Sequence, residues 1–263
     1  MNVSITSTEL RARLDSSAPP IVIDVRKTPS FRGASEMISG ALRRDPAAVE
    51  QWARSLPPAS TAVVYCVHGH EVSQQAAAAL RGAGLDARYL EGGIAEWAEH
   101  KLPLRRKREG SSSWVTRERP KIDRIACPWL ISRFVDKDAE FLYVPTTQVA
   151  DIARERDAVP YDVAGVHFTH DGDLCSFDAF IKHFRLQDPA LKRLALIVRG
   201  ADTAKLELAP QAPGLAAVSL GLSRIFTDDL EMLKHGMVLY DALYAWCKDG
   251  QQEVHTWNPE AYR

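Results

Sequence analysis

Short apolar runs alternate with amphipathic stretches over the first hundred residues. Each apolar run lies close behind a proline or a glycine, as buried strands often do. The predicted strands are 21–25, 62–66 and 87–90. The predicted helices are 46–56, 74–81 and 94–100. This alternation predicts an α/β domain, with a largely parallel sheet and helices on both faces.

Helical patterns dominate from residue 114 onward. The predicted helices there are 127–134, 149–156, 177–184, 189–199, 216–226 and 229–248. The last is the clearest, because apolar residues recur at steps of three and four from Leu230 to Cys247. Asp228 is predicted to cap it, with Glu231 completing a capping box. The second domain is therefore predicted to be mostly α-helical.

A polar segment separates these two patterns. Residues 105–108 are four consecutive cations, and Gly110 and three serines follow after Glu109. Such a segment cannot bury an apolar face, so we predict a solvated linker over 105–113 between domains 1–104 and 114–263. A nucleic-acid arm is the alternative. Four cations supply only a few phosphate contacts, so nucleic-acid binding is not expected.

Composition and charge fit a globular chain. Hydrophobic residues make up 46% and charged residues 25% of the 263 residues, and the formal net charge is −1, which gives no global attraction for nucleic acid or anionic membranes. The apolar runs are far shorter than a membrane span, and residues 1–17 lack the apolar stretch of a secretion signal. We therefore expect a cytoplasmic protein without membrane contacts. Its four cysteines, none in a CxxC pair, are expected to be free thiols.

The strongest chemical signal is the sequence Cys-Val-His-Gly-His-Glu-Val-Ser at 66–73, between a predicted strand and a predicted helix. Ligands of parallel α/β sheets bind at this edge, where backbone N–H groups and a helix N-terminus lower the pKa of a thiol. Gly69 permits a tight turn, and Ser73 is predicted to cap the helix. We interpret Cys66 as a nucleophile rather than an inert core cysteine. His68 and His70 either modulate it or simply face solvent.

Four motifs over roughly residues 3–104 together resemble the single-domain rhodaneses. They are Asp24-Val25-Arg26, Ile38-Ser39-Gly40-Ala41, Cys66-Val67-His68-Gly69 and Leu90-Glu91-Gly92-Gly93-Ile94-Ala95-Glu96-Trp97. The resemblance implies that Cys66 carries a sulfane sulfur as a persulfide, without a cofactor. It also implies a substrate-binding or loop role for a further set of residues: Arg26, His68, Gly69, His70, Glu71 and Ser73. A cradle of N–H groups favours the persulfide anion.

This chain departs from the rhodanese pattern at three places. The usual Gly-His-Ile is replaced around 36–38, and the serine usually six residues after the cysteine comes one place later, at Ser73. No arginine lies within 66–73, which disfavours a phosphatase, because that chemistry needs a guanidinium clamp.

Glu71 bears on the identity of the sulfur donor. Its carboxylate would repel the thiosulfate dianion by about 1 kcal/mol, so we expect poor thiosulfate turnover unless His68 and His70 are protonated. A small-molecule or protein persulfide is an equal candidate donor, and the acceptor would be a thiol.

The sequence from 114 to 131 resembles the opening of the ChrB-type chromate-resistance C-terminal domain. The resemblance extends over about 114–250 through four further motifs: Ala139-Glu140-Phe141, His170-x4-Cys175-Ser176-Phe177-Asp178, Ala201-Asp202-Thr203 and Tyr240-Asp241-Ala242-Leu243-Tyr244-Ala245-Trp246-Cys247. It implies an association with chromate resistance and, in some members, chromate-responsive regulation.

Two groups of residues in the second domain are candidate ligand sites. His170, Cys175 and Asp178 could hold a divalent metal such as zinc; alternatively, His170 and Asp178 hydrogen-bond a loop while Cys175 packs in the core. Lys121 and Arg124 could bind an oxyanion such as chromate, or Asp123 and Arg124 could form a buried ion pair.

Two functional hypotheses follow. The first is a sulfurtransferase that passes sulfane sulfur from Cys66 to a thiol acceptor, in a protein linked to chromate or metal stress. The alternative is a non-enzymatic chromate or metal sensor, in which the C-terminal domain binds the ligand and the rhodanese domain transmits or docks. The sequence leaves the oligomeric state open.

Overall fold

The computed structural model describes residues 3–16, 18–57, 60–108, 110 and 112–252. The ends of the predicted domains (1–2 and 253–263) and linker residues 109 and 111 lie outside this described part. The chain forms two compact units. The first comprises Met1–Ser112, Leu130–Glu140 and Phe180–Gln187; the second comprises Ser113–Trp129, Phe141–Ala179 and Asp188–Arg263.

The first hundred residues form an α/β structure, as predicted. The strands are β1 Ser4–Ile5, β2 Ile21–Asp24, β3 Glu36–Ile38, β4 Leu42–Arg43, β5 Thr61–Tyr65, β6 Asp86–Leu90 and β7 Leu104–Arg106. The helices are α1 Ser7–Leu14, α2 Thr28–Gly33, α3 Val49–Ala53, α4 Glu71–Gly82 and α5 Gly93–Glu99. Five strands form a sheet in the order β1-β6-β5-β2-β4, with parallel neighbours throughout.

Helices cover both faces of this sheet, because successive side chains of a strand point to opposite sides. Ile23 and Val64 pack on one side with residues of α3 and α4. Val22 and Val63 pack on the other side with residues of α1 and α5. The predicted architecture is confirmed, and the carboxyl end of the central strand β5 is left to carry Cys66.

The cationic segment after residue 104 is not the solvated connector that its composition predicts. Strand β7 pairs antiparallel with β3, and Arg105 and Lys107 are only 2% and 8% exposed. The Lys107 ammonium donates to the Phe31 carbonyl (2.6 Å), and the Arg105 guanidinium donates to the Val135 carbonyl (2.7 Å). Backbone carbonyls accept hydrogen bonds from both buried cations, which charge patterning alone does not reveal.

The second half of the chain is mostly helical, as predicted, but it also contains a small sheet that the sequence patterns do not indicate. Its strands are β8 Ser113–Arg117, β9 Glu140–Val144 and β10 Val159–Pro160, in the order β10-β8-β9. Its helices are α6 Ile122–Leu130, α7 Val149–Glu155, α8 Ser176–Phe184, α9 Pro189–Asp202, α10 Ala212–Ile225 and α11 Asp229–Lys248.

Helix α6 begins five residues before the predicted 127–134 and contains Pro128 in its interior. Proline lacks the N–H that would bond the carbonyl four residues earlier, which is that of Arg124. The Tyr143 hydroxyl donates to this carbonyl instead, at 2.8 Å. A π-helical turn, Ile131–Val135, follows. The proline is tolerated because a distant side chain satisfies the carbonyl that it leaves free.

The last helix, α11, confirms part of its prediction. The Asp228 carboxylate accepts from the Glu231 N–H at 2.8 Å, as an N-cap does. The Glu231 carboxylate does not accept from the Asp228 N–H, so the reciprocal half of the capping box was wrong. That carboxylate lies 3.5 Å from the Lys234 ammonium. Leu230, predicted to join the buried stripe, is 57% exposed. Within the described residues, no helix is both long and apolar enough to cross a membrane.

Candidate functional site

Cys66 directly follows β5 and is 7% exposed. Helix α4 begins at Glu71, so residues 66–70 form the loop between strand and helix. The prediction that Ser73 caps this helix was wrong: His70 is the N-cap residue, and Ser73 lies buried in the first turn. The one-residue shift of the serine relative to rhodaneses therefore still leaves its side chain facing the sulfur.

The Ser73 hydroxyl lies between two partners. Its Oγ is 3.2 Å from the Cys66 Sγ and 3.0 Å from the His70 carbonyl oxygen. Burial raises the pKa of the Cys66 thiol, but hydrogen bonds from the Ser73 hydroxyl and from the backbone N–H groups of Ser73, His68 and His70 outweigh it, so this pKa lies below its ordinary value. The loop thus favours a sulfur anion.

The other three cysteines lack this property. Burial raises the pKa of Cys127, Cys175 and Cys247, to about 11 in the case of Cys247. All four cysteines are free and buried, and all lie in the described part of the chain. Cys66 alone among them has a lowered pKa, which is the electrostatic signature of a reactive thiol.

Two glycines allow the segment 66–70 to pack against the start of α5. Gly69 and Gly93 have φ of +72° and +58°. A Cβ on Gly93 would lie 2.5 Å from the Val67 carbonyl oxygen, so only glycine fits there. The N–H groups of Ile94 and Ala95 donate to the carbonyls of Cys66 (3.1 Å) and Val67 (3.0 Å). The Gly-Gly-Ile-Ala motif therefore fixes the loop that holds the thiol.

The remaining loop residues lie on the surface. His68 and His70 are exposed, with ring centroids 5.9 Å apart. Glu71 is exposed in the first turn of α4, and its carboxylate accepts from the Gln75 side chain at 2.9 Å. Their substrate-binding roles stay predictions.

Arg26 lies in a buried network rather than on an open surface. Its guanidinium pairs with the Asp24 carboxylate at 2.5 Å and donates to the Glu36 carbonyl at 3.1 Å. The Tyr65 hydroxyl also donates to Asp24, at 2.9 Å, and accepts from the Ile38 N–H. These bonds hold the ends of β2 and β5 together, so the contacts assign Arg26 a structural part, while its predicted substrate contact stays a prediction.

A second cluster of titratable groups lies in the second unit, around His170. The Nε2 atom of His170 is 3.4 Å from Asp123, 3.6 Å from Asp162 and 3.2 Å from Asp202 carboxylate oxygens. Asp123 and Asp162 are buried, and the first residue of α8 holds both: the Ser176 N–H donates to Asp123 (2.7 Å) and its hydroxyl to Asp162 (2.8 Å).

The carboxylates shift the titration of this cluster. The hydrogen bond to Asp123 raises the pKa of His170 to about 9 despite partial burial, so the imidazole is a cation at neutral pH. Burial and the Asp123 charge raise the pKa of Asp202 to about 7. Asp162 also pairs with Arg117 (3.1 Å) and Arg124 (3.3 Å). Cations thus already balance much of the carboxylate charge.

Asp123, Asp162 and His170 could hold a metal ion. Each offers one ligand atom, and these atoms lie within 4.8 Å of one another. Two carboxylates and an imidazole are suitable ligands for a divalent cation, which would displace the His170 proton on binding.

The predicted trio of His170, Cys175 and Asp178 is not the group that the structure brings together. The Asp178 carboxylate pairs with Arg199 at 2.6 Å and accepts from the Cys175 N–H at 3.1 Å, while the Cys175 side chain is fully buried. His170 alone joins the cluster. Asp202 belongs to a motif that carries the chromate-resistance resemblance, which is a signal that could have pointed to it; Asp162 carries no such signal.

The second predicted group is also rearranged. Arg124 forms its ion pair with Asp162 at 3.3 Å, so the predicted ion pair between Asp123 and Arg124 was wrong. Asp123 instead faces His170 and Ser176. Lys121 is exposed.

A parallel sheet with a cysteine loop at the carboxyl end of its central strand, closed by two glycines at the following helix, is the arrangement of a rhodanese-like domain. Residues 6–100 match the family described as rhodanese-like domain. Residues 114–247, more than half of the chain, match the family described as ChrB, C-terminal domain. The chain therefore belongs to the ChrB C-terminal domain family and carries a rhodanese-like domain before it.

The chain is also similar to a curated protein and to several solved structures. Protein ChrB of Cupriavidus metallidurans is 38% identical over 134 residues, which cover 50% of this chain and 39% of that protein. The chain thus matches less than half of that relative's length. Solved structures similar to this chain include a rhodanese-related protein from Thermoplasma volcanium, 25% identical with a TM-score of 0.34, covering 38% of this chain and 95% of that one. A rhodanese-like domain protein from Staphylococcus aureus is 28% identical with a TM-score of 0.33, covering 37% and 91%.

Proposed function

We propose that this chain is a rhodanese-type sulfurtransferase that carries sulfane sulfur as a persulfide on Cys66, within a protein linked to chromate resistance. The observation that carries the proposal is the lowered pKa of Cys66, set by the Ser73 hydroxyl and three backbone N–H groups, where the other three cysteines have raised pKa values. The rhodanese-like match supports the chemistry, and the ChrB match supports the setting.

The proposed transfer has two steps. In the first, the Cys66 thiolate attacks the outer sulfur of a donor persulfide, a new S–S bond forms, and the donor S–S bond breaks to release the donor thiolate. In the second step, an acceptor thiolate attacks the outer sulfur of the Cys66 persulfide and forms an S–S bond with it. The bond between that sulfur and the Cys66 Sγ breaks, and Cys66 is released as a thiolate. With thiosulfate as donor, the leaving group of the first step is sulfite. Sulfur moves at one oxidation level, so no external oxidant or reductant enters.

The loop contributes to both steps by holding an anion. The N–H groups of His68, His70 and Ser73 favour the attacking thiolate and also the persulfide anion that replaces it. The carboxylate of Glu71, in the first turn of α4, disfavours a dianionic donor. We therefore propose a low-molecular-weight or protein persulfide as donor, in a reducing cytoplasmic compartment where Cys66 stays a thiol.

Intact-mass spectrometry tests this proposal. The full chain is incubated with a persulfide donor and, separately, with thiosulfate, and the mass is then measured. We expect a gain of one sulfur atom from the persulfide donor. Cys66→Ser should lose this gain, while Cys247→Ser, which replaces a buried cysteine of raised pKa, should keep it.

Two results would contradict the proposal. One is no sulfur gain from either donor by a folded chain. The other is a gain that persists in Cys66→Ser. A loaded chain must also return its sulfur to a small thiol, with the mass falling to that of the starting protein.

A second candidate function is a metal or chromate sensor without enzymatic activity, in which the C-terminal domain binds the ligand and the rhodanese-like domain transmits or docks. The observation that favours it is the group of ligand atoms from Asp123, Asp162 and His170.

Calorimetric titration of the full chain with zinc tests whether the sensor binds a metal. Asp162→Asn should weaken binding at least tenfold, whereas the exposed Asp151→Asn should not. No zinc binding in wild type, or equal binding in both variants, would remove the metal form, and a chromate titration then tests the other.

A further inference from the structure

The first unit contains a cavity of about 270 Å³ with an unusual charge balance. Seven lysine and arginine side chains line it, against two carboxylates, those of Asp136 and Asp138. The chain as a whole is nearly neutral, with a formal net charge of −1, so this concentration of positive charge is local. A concave, cationic lining raises the local concentration of anions.

This lining includes a buried arginine with an unused hydrogen-bond donor. The Arg105 side chain is almost fully buried, and its terminal nitrogens donate to the carbonyls of Arg106 (3.0 Å) and Val135 (2.7 Å). Its Nε–H has no hydrogen-bond partner among the described residues. Burial lowers the pKa of Arg105 to about 10, which still leaves a cation at neutral pH. A buried charge without a carboxylate partner is costly unless an anion compensates it.

Neighbouring contacts hold further cations beside the cavity. The Phe31 ring, which lines it, has the Arg43 guanidinium 4.7 Å and the Lys107 ammonium 4.6 Å from its centroid. Such cation–π contacts fix the positions of cations without neutralising their charge.

The two carboxylates of the lining each form an ion pair with a cation other than Arg105 or Arg43. Asp138 pairs with Arg44 at 3.1 Å, and Asp136 lies 3.0 Å from the Arg108 Nε. The hydrogen bonds and ring contacts of Arg105 and Arg43 go to carbonyls and an aromatic ring, and neither guanidinium forms an ion pair among the described residues.

We propose that this cavity binds a small, multiply charged oxyanion: free phosphate or sulfate, or the phosphate group of a small metabolite. Guanidinium groups match tetrahedral oxyanions in charge and geometry, and a bound oxygen would accept from the free Arg105 Nε–H. The modest cavity volume favours a small anion over a nucleic-acid backbone. This site is independent of the sulfur transfer proposed for Cys66.

Thermal unfolding of the full chain tests the proposal. Inorganic phosphate, inorganic sulfate and glycerol 3-phosphate are titrated separately, each against sodium chloride at matched ionic strength. We expect a saturable rise in Tm with at least one of the three and none with chloride. Tighter binding of glycerol 3-phosphate than of phosphate would identify a metabolite source, and equal binding would identify the free anion.

Variants locate the site. Arg105→Gln should weaken binding at least tenfold, and Lys137→Gln, which removes an exposed cation of the lining, should weaken it severalfold. Arg54→Gln, an exposed cation outside the lining, should leave binding unchanged. If Arg105→Gln does not fold, Lys137→Gln decides.

Three results would overturn the proposal. They are a Tm rise equal to that of chloride, binding unaltered by the cavity variants, and binding of an oligonucleotide without binding of any of the three small anions.

Discussion

The Cys66 loop and the His170 cluster place a titratable group beside a helix start in two opposite ways. Around Cys66, neutral donors converge on the sulfur, and the pKa of the thiol falls. Around His170, carboxylates converge on the imidazole, and its pKa rises to about 9. The Cys66 loop stabilises the deprotonated form of its group, and the His170 cluster stabilises the protonated form. The surrounding dipoles and charges decide which form each site favours.

Burial by itself would have given the wrong answer at Cys66. All four cysteines are buried, and burial raises the pKa of a thiol in each case. Only at Cys66 do N–H and hydroxyl donors outweigh that effect. The donors depend in turn on backbone geometry set by Gly69 and Gly93, so the comparison can be tested by changing backbone, donors or charges.

The largest effect is expected from Gly93→Ala. The new Cβ would lie 2.5 Å from the Val67 carbonyl and 2.6 Å from the Cys66 carbonyl, at a φ of +58°. We expect a loss of about 3 kcal/mol in the free energy of unfolding and loss of Cys66 alkylation selectivity. Urea unfolding and iodoacetamide mapping measure the two effects.

The control for this prediction is Gly84→Ala. Gly84 also has positive φ (+86°), but a Cβ there meets nothing within 4 Å. It should cost only about 1 kcal/mol, from backbone strain alone, and leave the thiol unaltered. Equal losses in both variants would show that close packing of the two segments does not matter.

A smaller effect is expected from Ser73→Ala, which removes one donor and leaves the backbone N–H groups. The pKa of Cys66 should rise, and alkylation at pH 7 should slow about fivefold, equivalent to about 1 kcal/mol. The pH profile of iodoacetamide alkylation measures this, with Ser55→Ala as the matched control. An unmoved profile would mean that the loop N–H groups act alone.

In the His170 cluster, the stability of the fold should depend on pH through the protonation of His170. Because the folded pKa of His170, about 9, lies above its ordinary value of 6.5, the imidazolium stabilises the fold below pH 6.5, and this contribution disappears as pH rises through 9. We expect a loss of about 1 kcal/mol, since solvent screens a side chain that is 42% exposed.

Urea unfolding at pH 6 and pH 9.5 measures this loss. His170→Gln should reduce the difference between the two pH values, and His100→Gln, at an exposed site, should not. Asp123, Asp162 and Asp202 face the imidazole, Arg117 and Arg124 pair with Asp162, and all five remain in both proteins. The same pH difference in wild type and His170→Gln would show that the carboxylates do not store the proton there.

The smallest effect concerns the charge at the mouth of the loop. Glu71→Gln should raise thiosulfate turnover about threefold at low ionic strength, because a repulsive carboxylate is removed. Salt should shrink the gain. Glu50→Gln, exposed on α3, serves as control, and an unchanged rate in Glu71→Gln would remove this carboxylate as a selector of donors.

Local patterns predicted about half of the strands and helices between residues 4 and 106, whereas β1, β3, β4, β7, α1 and α2 were not predicted. The strands at 21–25, 62–66 and 87–90 appear within one residue of their bounds, since strand and helix periods are local properties. The prediction of a solvated linker was wrong because Arg105 and Lys107 are buried and donate hydrogen bonds to backbone carbonyls of distant segments. The small sheet of the second unit was missed because helical patterns dominate from residue 114 onward, although β8 and β9 are as long as β5 and β6.

The two sites differ in the same respect. The Cys66 loop was predictable because its nucleophile, turn glycine and serine lie within eight residues. The carboxylates around His170 come from the start of α6, the segment after β10 and the end of α9, so no spacing rule connects them. The predicted metal site combined His170 with the nearest ligand-type residues in the sequence, Cys175 and Asp178. In the structure, Asp178 forms an ion pair with Arg199 instead.

The hydrogen bonds from Ile94 and Ala95 to the carbonyls of Cys66 and Val67 orient two peptide planes of the loop. The loop around the thiol is therefore preorganised, and the proposed conversion of thiolate to persulfide would need little reorganisation energy. The Cys66 loop and the Gly-Gly-Ile-Ala segment, almost thirty residues apart in the chain, thus form one structural unit. A substitution in the Gly-Gly-Ile-Ala segment would alter the reactivity of the Cys66 thiol, which lies outside that segment.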